Sequence, residues 1–118
     1  MKRAVVYTLI AGVALLGAAP AVAGSGKPQK KKVEVGDNFY SPSKLTVNKG
    51  STITWVWPDE ALDVHDVKLS KGPKGVKKFQ SDPGGAGYKY KRTLKVPGTY
   101  KIVCTLHEEM TMTIRVRH

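Results

Sequence analysis

Three possible metal ligands follow one another at short spacings near the C-terminus. Cys104, the only cysteine in the chain, is followed by His107 and then by Met110, and a second histidine, His65, lies upstream. A thiolate and two imidazoles can hold a copper ion in a trigonal plane, and a long axial thioether tunes its reduction potential. Soft sulfur suits Cu(I) and imidazole suits both oxidation states. This donor set therefore predicts a copper site that cycles by one electron.

Each of these residues also has a structural explanation when it is taken alone. A single histidine in a strand is more often structural than a ligand, and a single cysteine is more often a small buried hydrophobic residue. Zinc is an alternative metal for one cysteine and two histidines, but zinc would leave the methionine without a role. The combination of all four residues is what favours copper.

The rest of the chain predicts short strands that would position these residues. Alternating apolar and polar residues, separated by turns, occupy segments 33–35, 45–47, 52–57, 64–69, 88–93, 99–104 and 111–117. Segments 71–78 and 81–87 are predicted to be loops, and no helix longer than one or two turns is expected. The pattern predicts an all-β sandwich or barrel. Because the loops of a sandwich cluster at its ends, the loop before His65 can meet the loop after Cys104.

The N-terminus predicts export. Residues 1–23 have a positive start, an apolar stretch from residue 4 to residue 19, and a small-residue cleavage signal at 21–23, as in a secretory signal peptide. A retained membrane anchor is the alternative. Residues 24–32 are predicted to form a basic flexible linker, and residues 33–118 to form the folded domain. The location expected from this signal is the periplasm, the cell surface or the extracellular space.

The formal net charge of +11 limits the possible partners. We expect it to give solubility and attraction to an anionic cell-envelope surface; steering toward an acidic redox partner is the alternative. Nucleic acid is not expected as a partner, because the chain is predicted to be exported and carries no nucleic-acid-binding motif. A single cysteine cannot form an internal disulfide, so the thiol is reactive, intermolecular or a metal ligand.

Several segments together resemble a small blue-copper cupredoxin of the amicyanin and plastocyanin type. The resemblance covers most of the domain and is carried by Phe39–Pro42, Leu45–Trp55, His65–Val67, Phe79–Ser81, Tyr88–Tyr90 and Pro97–Cys104. It implies an eight-stranded Greek-key β-sandwich with one type 1 copper ion at one end. It also implies that His65, Cys104 and His107 are the equatorial ligands.

The resemblance leaves two choices for the axial ligand. Met110 gives the spacing of amicyanin-like proteins, and Met112 gives that of plastocyanin and pseudoazurin. Met110 is favoured, because residues 113–116 then fall where amicyanin-like members run their final strand, with Ile114 and Val116 inward. With Met112 as the ligand, Ile114 would stand where plastocyanins have glycine. Met112 is expected to pack near the site.

Two departures from the family pattern affect the expected properties. Asp66 stands where the family most often has asparagine; its backbone N–H is expected to bond the cysteine sulfur, and its carboxylate to favour Cu(II). Glu108 and Glu109 place negative charge beside His107, which puts the usual apolar docking patch in doubt.

The function predicted from these observations is single-electron transfer by Cu(II)/Cu(I) cycling with a redox partner protein. The alternatives are a copper storage or delivery protein and a metal-free or zinc-bound adhesive domain. Enzyme activity is not expected, because copper enzymes of this kind need further centres built on many histidines, and the chain has 3. The protein is expected to be a monomer.

Overall fold

The computed structural model describes residues 26–118. The predicted signal peptide, residues 1–23, and the first two residues of the predicted linker lie outside the described residues. Residues 26–118 contain no helix that is long and apolar enough to cross a bilayer.

The described residues form two four-stranded sheets. In chain order the strands are β1 (Lys30–Gly36), β2 (Phe39–Ser41), β3 (Lys44–Asn48), β4 (Ser51–Val56), β5 (Lys68–Lys71), β6 (Lys89–Leu94), β7 (Gly98–Cys104) and β8 (His107–Arg117). One sheet has the order β2-β1-β4-β6 and the other β3-β8-β7-β5. The chain crosses repeatedly between the sheets, and the predicted eight-stranded β-sandwich is confirmed.

Alternating side chains build the core between the two sheets. Along β4, Ser51, Ile53 and Trp55 are fully buried, and the residues between them are half-buried. The same period of two places Tyr100, Ile102 and Cys104 inside along β7. Each sheet buries the face that it turns toward the other sheet, and the two buried faces together form a single core.

The predicted linker is wrong for its last three residues. Lys30, Lys31 and Lys32 belong to β1 and pair in parallel with β4. Just before them, the Gln29 side chain accepts a hydrogen bond from the Asn48 N–H. Three consecutive lysines show no apolar alternation, so the sequence favoured a linker. The backbone hydrogen bonds between strands do not depend on side-chain type. The three lysines can therefore pair with β4 while their side chains stay exposed to solvent.

Ile102 is expected to be important for stability because it is fully buried in β7. Ile102→Ala should lower the free energy of unfolding by about 2–5 kcal/mol, since it removes apolar contacts and leaves a cavity. Leu62→Ala is the control: Leu62 is 90% exposed, and a surface truncation should change stability by no more than about 0.5 kcal/mol. Urea unfolding of the metal-free protein measures both changes. Equal losses in the two variants would contradict this packing.

Candidate metal centre

The hairpin between β7 and β8 brings two of the predicted ligands together. Cys104 is the last residue of β7, His107 is the first of β8, and the two are paired across the connection Thr105–Leu106. The pairing register is irregular between Val103 and Cys104. Cys104 is buried, whereas the His107 side chain keeps 22% of its surface exposed. One ligand candidate is therefore enclosed and the other reaches the surface.

His65 reaches the same place from the loop between β4 and β5. Its backbone forms an isolated antiparallel bridge with Gly84, with N···O distances of 3.0 and 2.9 Å. Glycine is needed at position 84, because a Cβ there would lie 2.3 Å from the ring of Tyr88. The bridge fixes the backbone of His65, and the ring is fully buried.

The three donor atoms converge on one point. The Nδ1 atoms of His65 and His107 are 3.1 Å apart, and Cys104 Sγ is 3.7 Å from His107 Nδ1. One ligand atom from each residue lies within 4.8 Å of the others. In a trigonal site with bonds of about 2.0 Å to nitrogen and about 2.3 Å to sulfur, nitrogens lie about 3.5 Å apart, and nitrogen and sulfur about 3.7 Å apart. The observed separations and the thiolate–imidazole donor set fit a first-row metal ion.

Asp66 connects the two segments of the site. Its backbone N–H donates to Cys104 Sγ at 3.5 Å, which is the hydrogen bond predicted from the sequence. Its carboxylate accepts hydrogen bonds from the Thr105 N–H and hydroxyl and from the Gln80 amide. Burial by itself raises the pKa of Asp66, but these donors outweigh it and hold the pKa below its ordinary value. Asp66 therefore stays ionised and holds the hairpin connection against the His65 segment.

Asp37 orients the outer side of His65, and sequence reasoning missed this role. Its Oδ1 lies 2.7 Å from His65 Nε2, and its carboxylate accepts hydrogen bonds from the Leu62 and Asp63 N–H groups. The bond to His65 and these two backbone donors lower the pKa of Asp37 to about 2. A carboxylate behind the imidazole fixes the Nε2–H tautomer and leaves Nδ1 free to bind a metal. The sequence showed Asp37 only as part of a turn, because the contact depends on the tertiary fold.

The two methionines of β8 have different surroundings. Met110 is fully buried and lies in the irregular part of the hairpin, between the Cys104–His107 pair and the Val103–Thr111 pair. Met112 is paired with Ile102, further from the hairpin, and its Sδ accepts a hydrogen bond from Trp55 Nε1 at 3.4 Å. The Met112 sulfur is thus already used inside the core, as expected for a packing residue.

Comparison with known proteins shows which family the chain resembles. Residues 28–117 match the family described as copper binding proteins, plastocyanin/azurin family. The chain is 32% identical to plastocyanin from Prochlorothrix hollandica over 110 residues, which cover 84% of this chain and 76% of that protein.

Two solved structures show the same fold. A reduced Cu(I) form of an amicyanin variant superposes with a TM-score of 0.64 at 27% identity, covering 82% of this chain and 88% of that one. A copper-containing nitrite reductase from Thermus scotoductus superposes with a TM-score of 0.64 at 25% identity. That match covers 85% of this chain but only 25% of the reductase chain.

The sequence match extends over most of the chain, and the described fold brings a thiol and two imidazoles together. This chain belongs to the plastocyanin/azurin family of copper-binding proteins, and its cofactor is one type 1 copper ion.

Proposed function

We propose that this protein is an exported carrier of single electrons whose copper ligands are His65, Cys104, His107 and Met110. The observation that carries the proposal is the convergence of one sulfur and two nitrogens within 4.8 Å. Copper, when bound, supplies the Cu(II)/Cu(I) couple, and the protein supplies geometry and electrostatics. Export is supported by the N-terminal sequence pattern, and contact with an anionic cell envelope stays a prediction.

The surrounding residues hold the donors and keep water away. The Asp66 N–H stabilises negative charge on Cys104 Sγ, and Asp37 fixes the ring of His65. His65, Cys104 and Met110 are all buried, so solvent is excluded from these side chains. The partly exposed ring of His107 is the only one of the four side chains that offers an edge to a partner, so we assign it as the electron port.

A carrier is favoured over an enzyme and over a storage protein. The reductase match spans a quarter of that chain, and this chain has 3 histidines, two of which belong to the proposed site. A second catalytic copper centre would need further ligands. The relatives and the one candidate metal site found within residues 26–118, which is largely buried, also fit reversible electron exchange better than copper delivery, which requires release of the ion.

Repeated redox cycling tests the carrier function. The copper-loaded protein should be reduced and reoxidised many times on an electrode or by small reagents without losing copper. Metal content after cycling, measured against a sample kept oxidised, is the control. Release of copper on each reduction would support delivery instead of electron transfer.

Asp37→Ala should weaken copper binding by roughly tenfold or more, because loss of a carboxylate behind a metal-binding histidine commonly costs 10- to 100-fold. Asp37→Asn is the matched control, since its amide oxygen can still accept the His65 Nε2–H, and it should retain most of the affinity. Competition with a copper chelator measures both constants. Wild-type affinity in the alanine variant would contradict the role assigned to Asp37.

A further inference from the structure

Acidic and basic residues occupy separate, alternating segments of this chain. All 9 acidic residues fall in the four segments 33–43, 50–67, 79–88 and 102–114, which contain no lysine or arginine. The lysines and arginines after residue 26 lie in segment 27–32, in the three intervening segments and at the C-terminus, which contain no acidic residue. The net positive charge of the protein therefore says little about any one surface.

The fold brings several of these carboxylates to the metal end. Asp37 bonds His65 and the backbone of the 59–63 loop, and the Asp63 carboxylate lies 3.7 Å from His107 Nε2. Glu108 and Glu109 follow His107 directly and are exposed. The lysines instead occupy exposed positions of strands such as β1, β5 and β6. Negative charge is therefore concentrated around the proposed electron port.

Exposed apolar side chains lie at the same end. The large hydrophobic residues exposed within residues 26–118 are Phe39, Leu62, Val64 and Leu106. Val64 and Leu106 directly precede the two histidines, and the Leu62 N–H bonds Asp37. Leu62, Val64 and Leu106, together with the carboxylates of Asp63, Glu108 and Glu109, form a surface that we call the His107 face. Apolar residues within a charged rim are typical of a protein interface.

We infer that the His107 face docks a redox protein that presents a basic surface around its own redox centre. The inference rests on the electron-carrier function proposed above and names its partner class. At 0.1 M salt the ions in solution screen interactions over more than about 10 Å, so a partner close to His107 interacts mainly with the local carboxylates. These carboxylates also favour approach of a positive partner to the His107 face.

A first experiment is independent of electron transfer. In nuclear magnetic resonance spectra of the reduced protein, the paramagnetic cation hexaamminechromium(III) should broaden amides of the His107 face. The anion hexacyanochromate(III) should broaden amides of the lysine-bearing strands. Broadening of the His107 face by the anion, or of the lysine-bearing strands by the cation, would overturn the inference.

A second experiment compares two haem proteins of opposite charge, a basic c-type cytochrome and an acidic b-type cytochrome. At low ionic strength the basic protein should react with the copper-loaded protein at least about tenfold faster, and the advantage should disappear at high salt. It should also shift the amide resonances of the His107 face. Faster reaction with the acidic cytochrome would overturn the docking inference and leave the carrier function intact. Binding of the basic cytochrome without electron exchange would instead count against the carrier function.

Paired variants separate local charge from net charge. Glu108→Gln with Glu109→Gln should weaken binding and slow reaction with the basic cytochrome several-fold. Thr46→Lys with Thr93→Lys raises the net charge by the same amount at exposed strand positions, and should change binding by less than twofold. Equal effects of the two double variants would show that net charge governs the encounter and would overturn the inference.

Discussion

Cys104→Ser is expected to abolish the blue absorption and reversible redox cycling while leaving the sandwich folded. The band arises from charge transfer between thiolate and Cu(II), and a serine hydroxyl cannot provide it. The core consists mainly of other strand residues, such as Trp55, Tyr100 and Ile114, which the substitution leaves unchanged. Visible absorption of the copper-treated variant measures the effect, and it should fall to the background of unbound copper.

Far-ultraviolet circular dichroism and urea unfolding are the controls for Cys104→Ser. A variant that retains its strand signal but not its colour supports the assignment of the sulfur as a ligand. A folded variant that keeps the intense absorption would show that Cys104 is not the source of the band.

Met110→Leu is expected to retain copper and colour but to raise the reduction potential. An axial thioether stabilises Cu(II) weakly, and leucine removes that donor while nearly conserving the volume. A tenfold loss of Cu(II) affinity relative to Cu(I) corresponds to about 59 mV for a one-electron couple. We expect an increase of about that size or more, measured by voltammetry of the purified protein.

Met112→Leu is the matched control for Met110→Leu. Met112 accepts the Trp55 Nε1–H, so its loss should lower stability by about 1 kcal/mol and change the potential by much less than 59 mV. If Met112→Leu raised the potential and Met110→Leu did not, the axial ligand would be Met112.

Most strands were predictable because they depend on local pattern: alternation along β4 and β7 predicts which side chains face inward. The short strand β2 was not predicted, and segment 64–69 enters a strand only at Lys68. The loop predicted to carry His107 and Met110 is also shorter than expected, because both residues already belong to β8. The bond from the Asp66 N–H to the cysteine sulfur was expected from the resemblance to the cupredoxins, and the structure contains it.

Contacts that depend on the assembled fold were not predictable in the same way. Asp37 acts on His65 only because the β1–β2 turn lies beside the loop that precedes His65, and no sequence spacing indicates that contact. The lysines of β1 join the sheet through backbone pairing with β4, which the side-chain pattern does not show. The separation of charge was visible in the sequence, but its position around His107 required the topology.

Titration of the metal-free protein with Cu(II), followed by visible absorption and electron paramagnetic resonance, tests the central claim most directly. We predict that one equivalent of Cu(II) produces an intense band near about 600 nm, together with the small copper hyperfine coupling of a thiolate-bound type 1 site. A weak band alone, or a signal from copper bound only to nitrogen and oxygen, would contradict the proposed site of His65, Cys104 and His107.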